Sequence, residues 1–347
     1  MPESAGPAPV GAPGNATKGV TERVRARRCE HFPISWWPVW GRIASLRQVS
    51  YEDPRAYLLG LEGIALLRAF TGECDRDFVE ARIAEIRKVL ADEALADAAV
   101  EVDRVDTVSG YRLWSATYDQ PNSAFDVDEP VVKEIIDSLP VGVALDAACG
   151  TGRYAQFLAE RGHRVIGVDS SPDMLARART RVPQGEFRPG DLHQLPIADA
   201  EVDLVVCALA LTHVATLTPV IAEFARVLRP GGHLVISDMH HEQVTLGSIP
   251  HARDADGRPG RTRSYRHLIG DYLRAALPVG LQVRRCEEPG VPTGEPSPPP
   301  GPPSTFGAVG PWELWPWCLH DMVPEATRAA YAGVPGLVIW HFELAQS

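Results

Sequence analysis

No apolar run in this chain approaches the roughly 18 consecutive residues that a membrane-spanning helix needs, so no membrane partner is expected. The opening stretch, MPESAGPAPVGAPGNATKG, lacks the basic-then-apolar order of a secretory leader, and a cytoplasmic location follows as the expectation. The six cysteines (Cys29, Cys74, Cys149, Cys207, Cys286 and Cys318) form no Cys-x-x-Cys pair and no cluster with histidine at metal-ligand spacing. Reduced, mostly buried thiols are expected, with neither a disulfide framework nor a metal centre. Basic charge is also in short supply. Lysine is scarce beside arginine, a bias of coding composition rather than function, and the formal net charge is −11. Much of nucleic-acid binding comes from basic surface meeting phosphate, so nucleic acid is not expected as a partner. What is present suffices for a folded protein: 347 residues, 45% hydrophobic and 23% charged, can bury a substantial core.

Residues 1–20 are biased to proline, glycine and alanine and read as a disordered tail. Residues 21–110 read as a helical and aromatic region on the lid or substrate side, with Trp36, Trp37 and Trp40 as packing anchors. Asp53 is placed to cap a helix with Pro54 at its first position, and Leu58, Leu61, Ala65 and Leu66 follow at helical spacing. DRDFVEARIAEIRKVLAD repeats the pattern. An aromatic connector then leads to an amphipathic helix from about Pro130 to Leu139. From there strand and helix patterns alternate as in a parallel sheet with covering helices, the strands being GVALDAA, HRVIGVD, GEFRPGD, VDLVVCALA and GHLVISDM. Beyond Met239 the signal loosens. GSIPHARDADGRPGRTRSYR reads as a polar loop, HLIGDYLRAALPVG as a helix, and LQVRRCEEP and GLVIWHFEL as strands around a proline-rich insertion at about 289–310.

The stretch VALDAACGTGRYAQFLAERGHRVIGVDSS carries the chemistry. Gly150, Gly152 and Ala155 have the G-x-G-x-x-G/A spacing that follows a strand and opens a helix, which suits a nicotinamide or flavin dinucleotide as well as other adenosine cofactors. Charge separates the readings. A dinucleotide sets its pyrophosphate at such a turn, where Asp146, four residues before Gly150, would be unwelcome. A cofactor with an ammonium and a sulfonium and no phosphate would gain from that carboxylate. Asp169 ends the next apolar run, where it can accept two ribose hydroxyls. Asp191 and Leu192 follow a third strand, one suited to the adenine amine and the other to its face.

Residues from about 110 to 240 resemble the class I S-adenosylmethionine-dependent methyltransferases, in particular the branch shared by ubiquinone and menaquinone biosynthesis and many natural-product enzymes. LDAACGTGRY is similar to the family's first motif, with Ala148 where glycine is commoner; GVDSSPDML resembles the ribose motif and GDLHQLP the adenine motif. DLVVCALALTHV and EFARVLRPGGHLVISD resemble the strand at the active-site edge and the turn before the fifth strand. The resemblance implies an α/β fold: a Rossmann-like seven-stranded sheet over 111–347, ending in an antiparallel hairpin, preceded by a helical subdomain. It implies cofactor binding by Tyr111, Tyr118, Asp146, Ala148, Gly150, Gly152, Asp169, Ser170, Met174, Asp191, Leu192 and Ala208.

Methyl transfer from a sulfonium is an in-line displacement, so catalysis is chiefly positioning, with a base only where the acceptor must lose a proton. Tyr118 is expected over the methionine end of the cofactor, with Tyr111 able to share that place, or both are plain core aromatics. His213 and His240 (with His241) are candidate bases or acceptor-orienting groups; the alternatives are a helix cap and a solvated loop. Arg258, Arg261, Arg263 and Arg266 form either a solvated loop or a grip for an anionic acceptor. Trp315, with Trp312 and Trp317, either roofs an apolar acceptor or packs a lid, and Glu62 and Glu85 read as structural. The expectation is therefore a methyltransferase of a small molecule, a secondary metabolite, using S-adenosylmethionine without metal. Carbon methylation of a prenyl diphosphate, which would bring Mg²⁺, is the narrower alternative. A NAD-dependent oxidoreductase and a catalytically silent cofactor-binding regulator are the alternatives of other classes. A homodimer stays open beside a monomer.

Overall fold

Capping chemistry sets the first helices. The structure, a computed structural model, describes residues 50–115, 118–119, 123–253, 259–290 and 315–346. The expected tail, the tryptophans at 36, 37, 40 and 312, Cys29, Arg258 and residues 291–310 of the proline-rich insertion lie outside the described residues. Strand β1 (Ser50–Glu52) leads into helix α1 (Pro54–Ala69), where the Asp53 carboxylate accepts the Arg55 N–H at 2.9 Å and Pro54 takes the first position. Helix α2 (Arg76–Ala91) is capped in kind by Asp75. A short helix α3 (Glu93–Ala96), strand β2 (Val100–Val105) and helix α4 (Thr107–Trp114) follow. Helix α5 (Ser123–Asp137) starts well before the expected Pro130, which lies inside it and removes one backbone bond rather than opening the helix.

The sheet comes next. Strands β3 (Val143–Ala147), β4 (Arg164–Asp169), β5 (Glu186–Pro189), β6 (Val202–Ala208) and β7 (Leu228–Met239) run parallel. Helices α6 (Arg153–Glu160), α7 (Pro172–Arg181) and α8 (Leu217–Val227) lie in the crossovers. Then come α9 (His241–Thr245), β8 (His251–Arg253), β9 (Pro259–Thr262), α10 (Ile269–Ala276), β10 (Leu281–Glu287), α11 (Pro324–Tyr331) and β11 (Leu337–Leu344). The seven-stranded order is β10-β11-β7-β6-β3-β4-β5, with β11 antiparallel to both neighbours. This is the Rossmann-like sheet with its closing hairpin. Its central strands β3, β4 and β6 are largely buried because both faces are covered. Phe224, Tyr272 and Trp340 pack in one core cluster, and Ile136, Phe157 and Leu175 in the other.

The segment expected as a polar loop, 247–266, instead contains β8 and β9. With β1 and β2 they form a four-stranded sheet in the order β1-β2-β9-β8, Arg104 of β2 lying opposite Arg261 of β9. Strands of three or four residues rich in glycine, proline and arginine carry no alternation to read. A separate core joins Leu58, Leu61, Val89 and Val102 to Trp315, Leu319 and Val323. The accessory module is thus assembled from stretches near 50–105, 251–262 and 315–331, not from one N-terminal segment ending at residue 110. No helix among the described residues is long and apolar enough to cross a membrane.

Candidate functional site

From β3 the chain winds outward one way through β4 and β5, and from β6 the other way, so a crevice opens at the carboxyl ends of β3 and β6. A cleft of about 860 Å³, counted to its open mouth, occupies this place. Its floor is the turn after β3, where Gly150 and Gly152 take φ of 52° and 86°. A Cβ on Gly152 would stand 3.1 Å from the Ala178 Cα in α7, so only glycine closes the turn. Ala148 (φ 58°) and Leu209 (φ 55°), both lining the cleft, are left-handed without being glycine, a strain of about 1–2 kcal/mol each held by their surroundings.

Asp169 joins two loops. Its Oδ2 accepts the Gly150 N–H and its Oδ1 the Ser171 N–H, each at 2.8 Å. Burial pushes its carboxyl up, against the pull of these backbone donors. The carboxylate lines the cleft, where it can accept from a vicinal diol. Ser170 and Met174 line the same wall, and Ala208 the wall opposite, at the end of β6. Asp191 and Leu192 stand at the far rim. Burial raises the Asp191 carboxyl, but donors from the His193 backbone (2.7 Å) and ring (2.6 Å) outweigh it and hold it below the usual range.

The remaining wall is aromatic. Tyr118 lies over Gly150 and is kept there by its neighbour Asp119, which accepts from the Thr151 hydroxyl at 2.7 Å and pairs with Arg181 at 2.6 Å. Burial pushes the Tyr118 phenol up to about 12. Tyr111, on α4, packs edge-on to Tyr118 with ring centroids 5.9 Å apart. Its hydroxyl meets the Nε2 of His213 at 2.8 Å. The Nδ1 of His213 faces the Arg263 carbonyl at 2.8 Å. A carbonyl only accepts, so Nδ1 carries the proton and Nε2 accepts the Tyr111 O–H. Burial lowers the His213 pKa and raises the Tyr111 phenol well above its usual value, so both are neutral.

Several expected residues are not brought here. Asp146 is 2% exposed and does not line the cleft; its Oδ2 accepts the Ala155 N–H at 2.8 Å in the first turn of α6. Burial pushes it up to about 7, so it is a buried helix clamp and not a carboxylate facing the cofactor. His240 caps α9, accepting the Glu242 N–H at 3.3 Å, while its Nε2 meets Glu288 at 2.8 Å; it does not line the cleft. Trp315 is buried in the accessory core, and its side chain bonds to Glu52. Arg266 is exposed, whereas Arg261 and Arg263 line a second cavity. Glu62 and Glu85 both pair with Arg82, at 3.3 and 2.5 Å. Thr107, Val108, Leu209 and Val214 line the cleft and were missed by sequence reasoning. An Asp106 cap, whose carboxylate accepts the Ser109 N–H at 2.9 Å, was a signal that could have revealed α4 and its first two residues.

Residues 145–236 match the family model described as a methyltransferase domain. A 111-residue stretch is 37% identical to malonyl-[acyl-carrier protein] O-methyltransferase of Serratia marcescens and covers 32% of this chain and 42% of that protein. Another, of 148 residues, is 32% identical to demethylmenaquinone methyltransferase of Paenarthrobacter aurescens and covers 42% and 51%. The match thus spans about half or less of these relatives' own lengths. A solved S-adenosylmethionine-dependent methyltransferase of Mesorhizobium loti is 23% identical, with a TM-score of 0.43 over 62% of this chain and 97% of that one.

Proposed function

This chain carries a class I S-adenosylmethionine-dependent methyltransferase domain, and on that premise we propose that the protein moves a methyl group to a small-molecule acceptor. The observation that carries the reading is charge. The described lining of the cleft holds two carboxylates, Asp169 and Asp191, and no lysine or arginine. The Gly150 N–H, which a pyrophosphate would seek, is already engaged by Asp169. A cationic, phosphate-free nucleoside suits this lining where a dinucleotide does not. Asp169 holds the ribose, Asp191 and Leu192 the adenine, and Tyr118 with the Ala148–Gly150 turn the methionine end.

When bound, the cofactor supplies a methyl carbon activated by positive sulfur. The protein's part is to exclude water and aim the acceptor, which falls to Tyr111, Tyr118 and the aliphatic wall at Leu209 and Val214. An acceptor hydroxyl or amine that must lose a proton passes it to the Tyr111 oxygen as the Tyr111 proton moves to Nε2 of His213, leaving an imidazolium held by the Arg263 carbonyl. Calorimetric titration tests the cofactor: S-adenosylhomocysteine should bind saturably and NAD should not, and the reverse result overturns the reading. Tritium transfer from labelled cofactor into a metabolite extract separates an enzyme from a silent binder.

A further inference from the structure

A second cavity, about 530 Å³ on the same count as the cleft, lies at the small sheet and is lined chiefly by Arg104, Arg261, Arg263, Ser264 and Tyr265. Register puts the first two together, because β2 and β9 are parallel with Arg104 opposite Arg261; Arg263 follows two residues on, on the same side of the chain. Three guanidiniums around one hollow repel one another. Burial, then the charges of Arg263 and Arg261, hold the Arg104 guanidinium below its ordinary value. Arg261 is answered by Glu52 at 3.1 Å and donates to the Ser50 hydroxyl at 3.0 Å. Arg263 meets no carboxylate among the described residues, and its guanidinium stands over the Tyr265 ring at 5.1 Å. The Ser264 hydroxyl is buried with no hydrogen-bond partner. In a chain of net charge −11, this concentration of positive charge beside the unpartnered Ser264 hydroxyl suits an anion.

We infer that the cavity binds a phosphate group, and that this phosphate belongs to the methyl acceptor. Guanidinium forks and a hydroxyl offer more donors than a carboxylate's two oxygens can take, and match the three terminal oxygens of a phosphate. The link to the acceptor is the 263–265 segment, which lines the basic cavity and is hydrogen-bonded to His213 of the cleft wall and to its neighbour Thr212. Its backbone faces the cleft wall: the Arg263 carbonyl accepts from His213, and the Tyr265 N–H donates to the Thr212 carbonyl at 2.6 Å. Its side chains line the basic cavity. The acceptor's identity as a phosphate ester rests on the methyltransferase reading; the anion site does not.

Inorganic pyrophosphate is the probe. Titrated calorimetrically into the full chain, with and without saturating S-adenosylhomocysteine, it should bind in both states, and Arg263→Gln and Arg104→Gln should each weaken it at least tenfold without changing S-adenosylhomocysteine affinity. A protein that binds S-adenosylhomocysteine but not millimolar pyrophosphate overturns the anion site and leaves the methyltransferase reading intact. Pyrophosphate binding without S-adenosylhomocysteine binding sinks that reading and with it the acceptor's role. Tritium transfer into a metabolite extract then separates the sources: pyrophosphate, or prior phosphatase treatment of the extract, should suppress labelling. Labelling that survives both treatments assigns the site to a free anion and overturns the acceptor assignment.

Discussion

Asp146 and Asp169 end neighbouring strands, and their surroundings send them to different partners. Asp146 is sealed under α6 and serves the Ala155 N–H, while Asp169 stands at the cleft. Asp169→Ala should therefore weaken S-adenosylhomocysteine binding by about 1–3 kcal/mol, read by calorimetry, through lost hydrogen bonds; unchanged affinity would remove it from the ribose site. On the proposed reading the Tyr111–His213 pair handles protons rather than the cofactor. His213→Ala and Tyr111→Phe should each cut labelled methyl transfer by roughly 10²–10⁴-fold while leaving S-adenosylhomocysteine affinity near normal. Full transfer by both variants would mean that the acceptor arrives already nucleophilic. The glycine turn and Asp169 were legible, since Gly150 and Gly152 take left-handed φ and Asp169 ends its strand at the crevice. The bond between Tyr111 and His213, 102 positions apart, was not legible.

Among the elements, the parallel strands and their helices announced themselves by short apolar runs, LVVCA in β6 being the longest, alternating with helical periodicity between turn residues. Strands β8 and β9 did not: each is stabilised by its neighbours in the small sheet and not by a face of its own. Helix α11 likewise depends on a partner, its Ala326 and Ala330 completing a core begun by α1. Leu58 is fully buried there. Leu58→Ala should cost about 2–5 kcal/mol, and its mark should be distant. Amide exchange should quicken in α11 as well as in α1, because the two helices share one core; protection lost in α1 alone would show that the module is not a unit.

The whole molecule responds to the charges it buries. Asp238 is 1% exposed, its Oδ2 receives the Tyr272 hydroxyl at 3.0 Å, and its Oδ1 has no partner. Burial pushes it from its ordinary 3.8 up to about 7. The folded protein therefore holds this proton between roughly pH 4 and 7 while the unfolded chain has lost it, so the group's contribution to stability is full below that window and is lost as pH rises through it. Histidines such as His320 and His341, lowered to about 4 by burial, work in the opposite sense over nearly the same window, so the net profile blends the two. Asp238→Asn isolates one sign. The variant should gain on the parent by on the order of a few kcal/mol between pH 5 and 8, read by denaturant unfolding at each pH. A constant difference would show that Asp238 is ionised throughout.

The sequence by itself determined the sheet, its strand directions and the glycine turn, because each rests on local rules: periodicity and left-handed φ; its charge argument for the cofactor leaned on Asp146, which the fold buries under α6. Tertiary structure alone decided which carboxylate faces the cleft, which histidine meets a tyrosine, and how three distant stretches make one accessory module. Those are matters of burial and of contact between residues far apart in the chain. Side-chain type constrains them; only packing settles them.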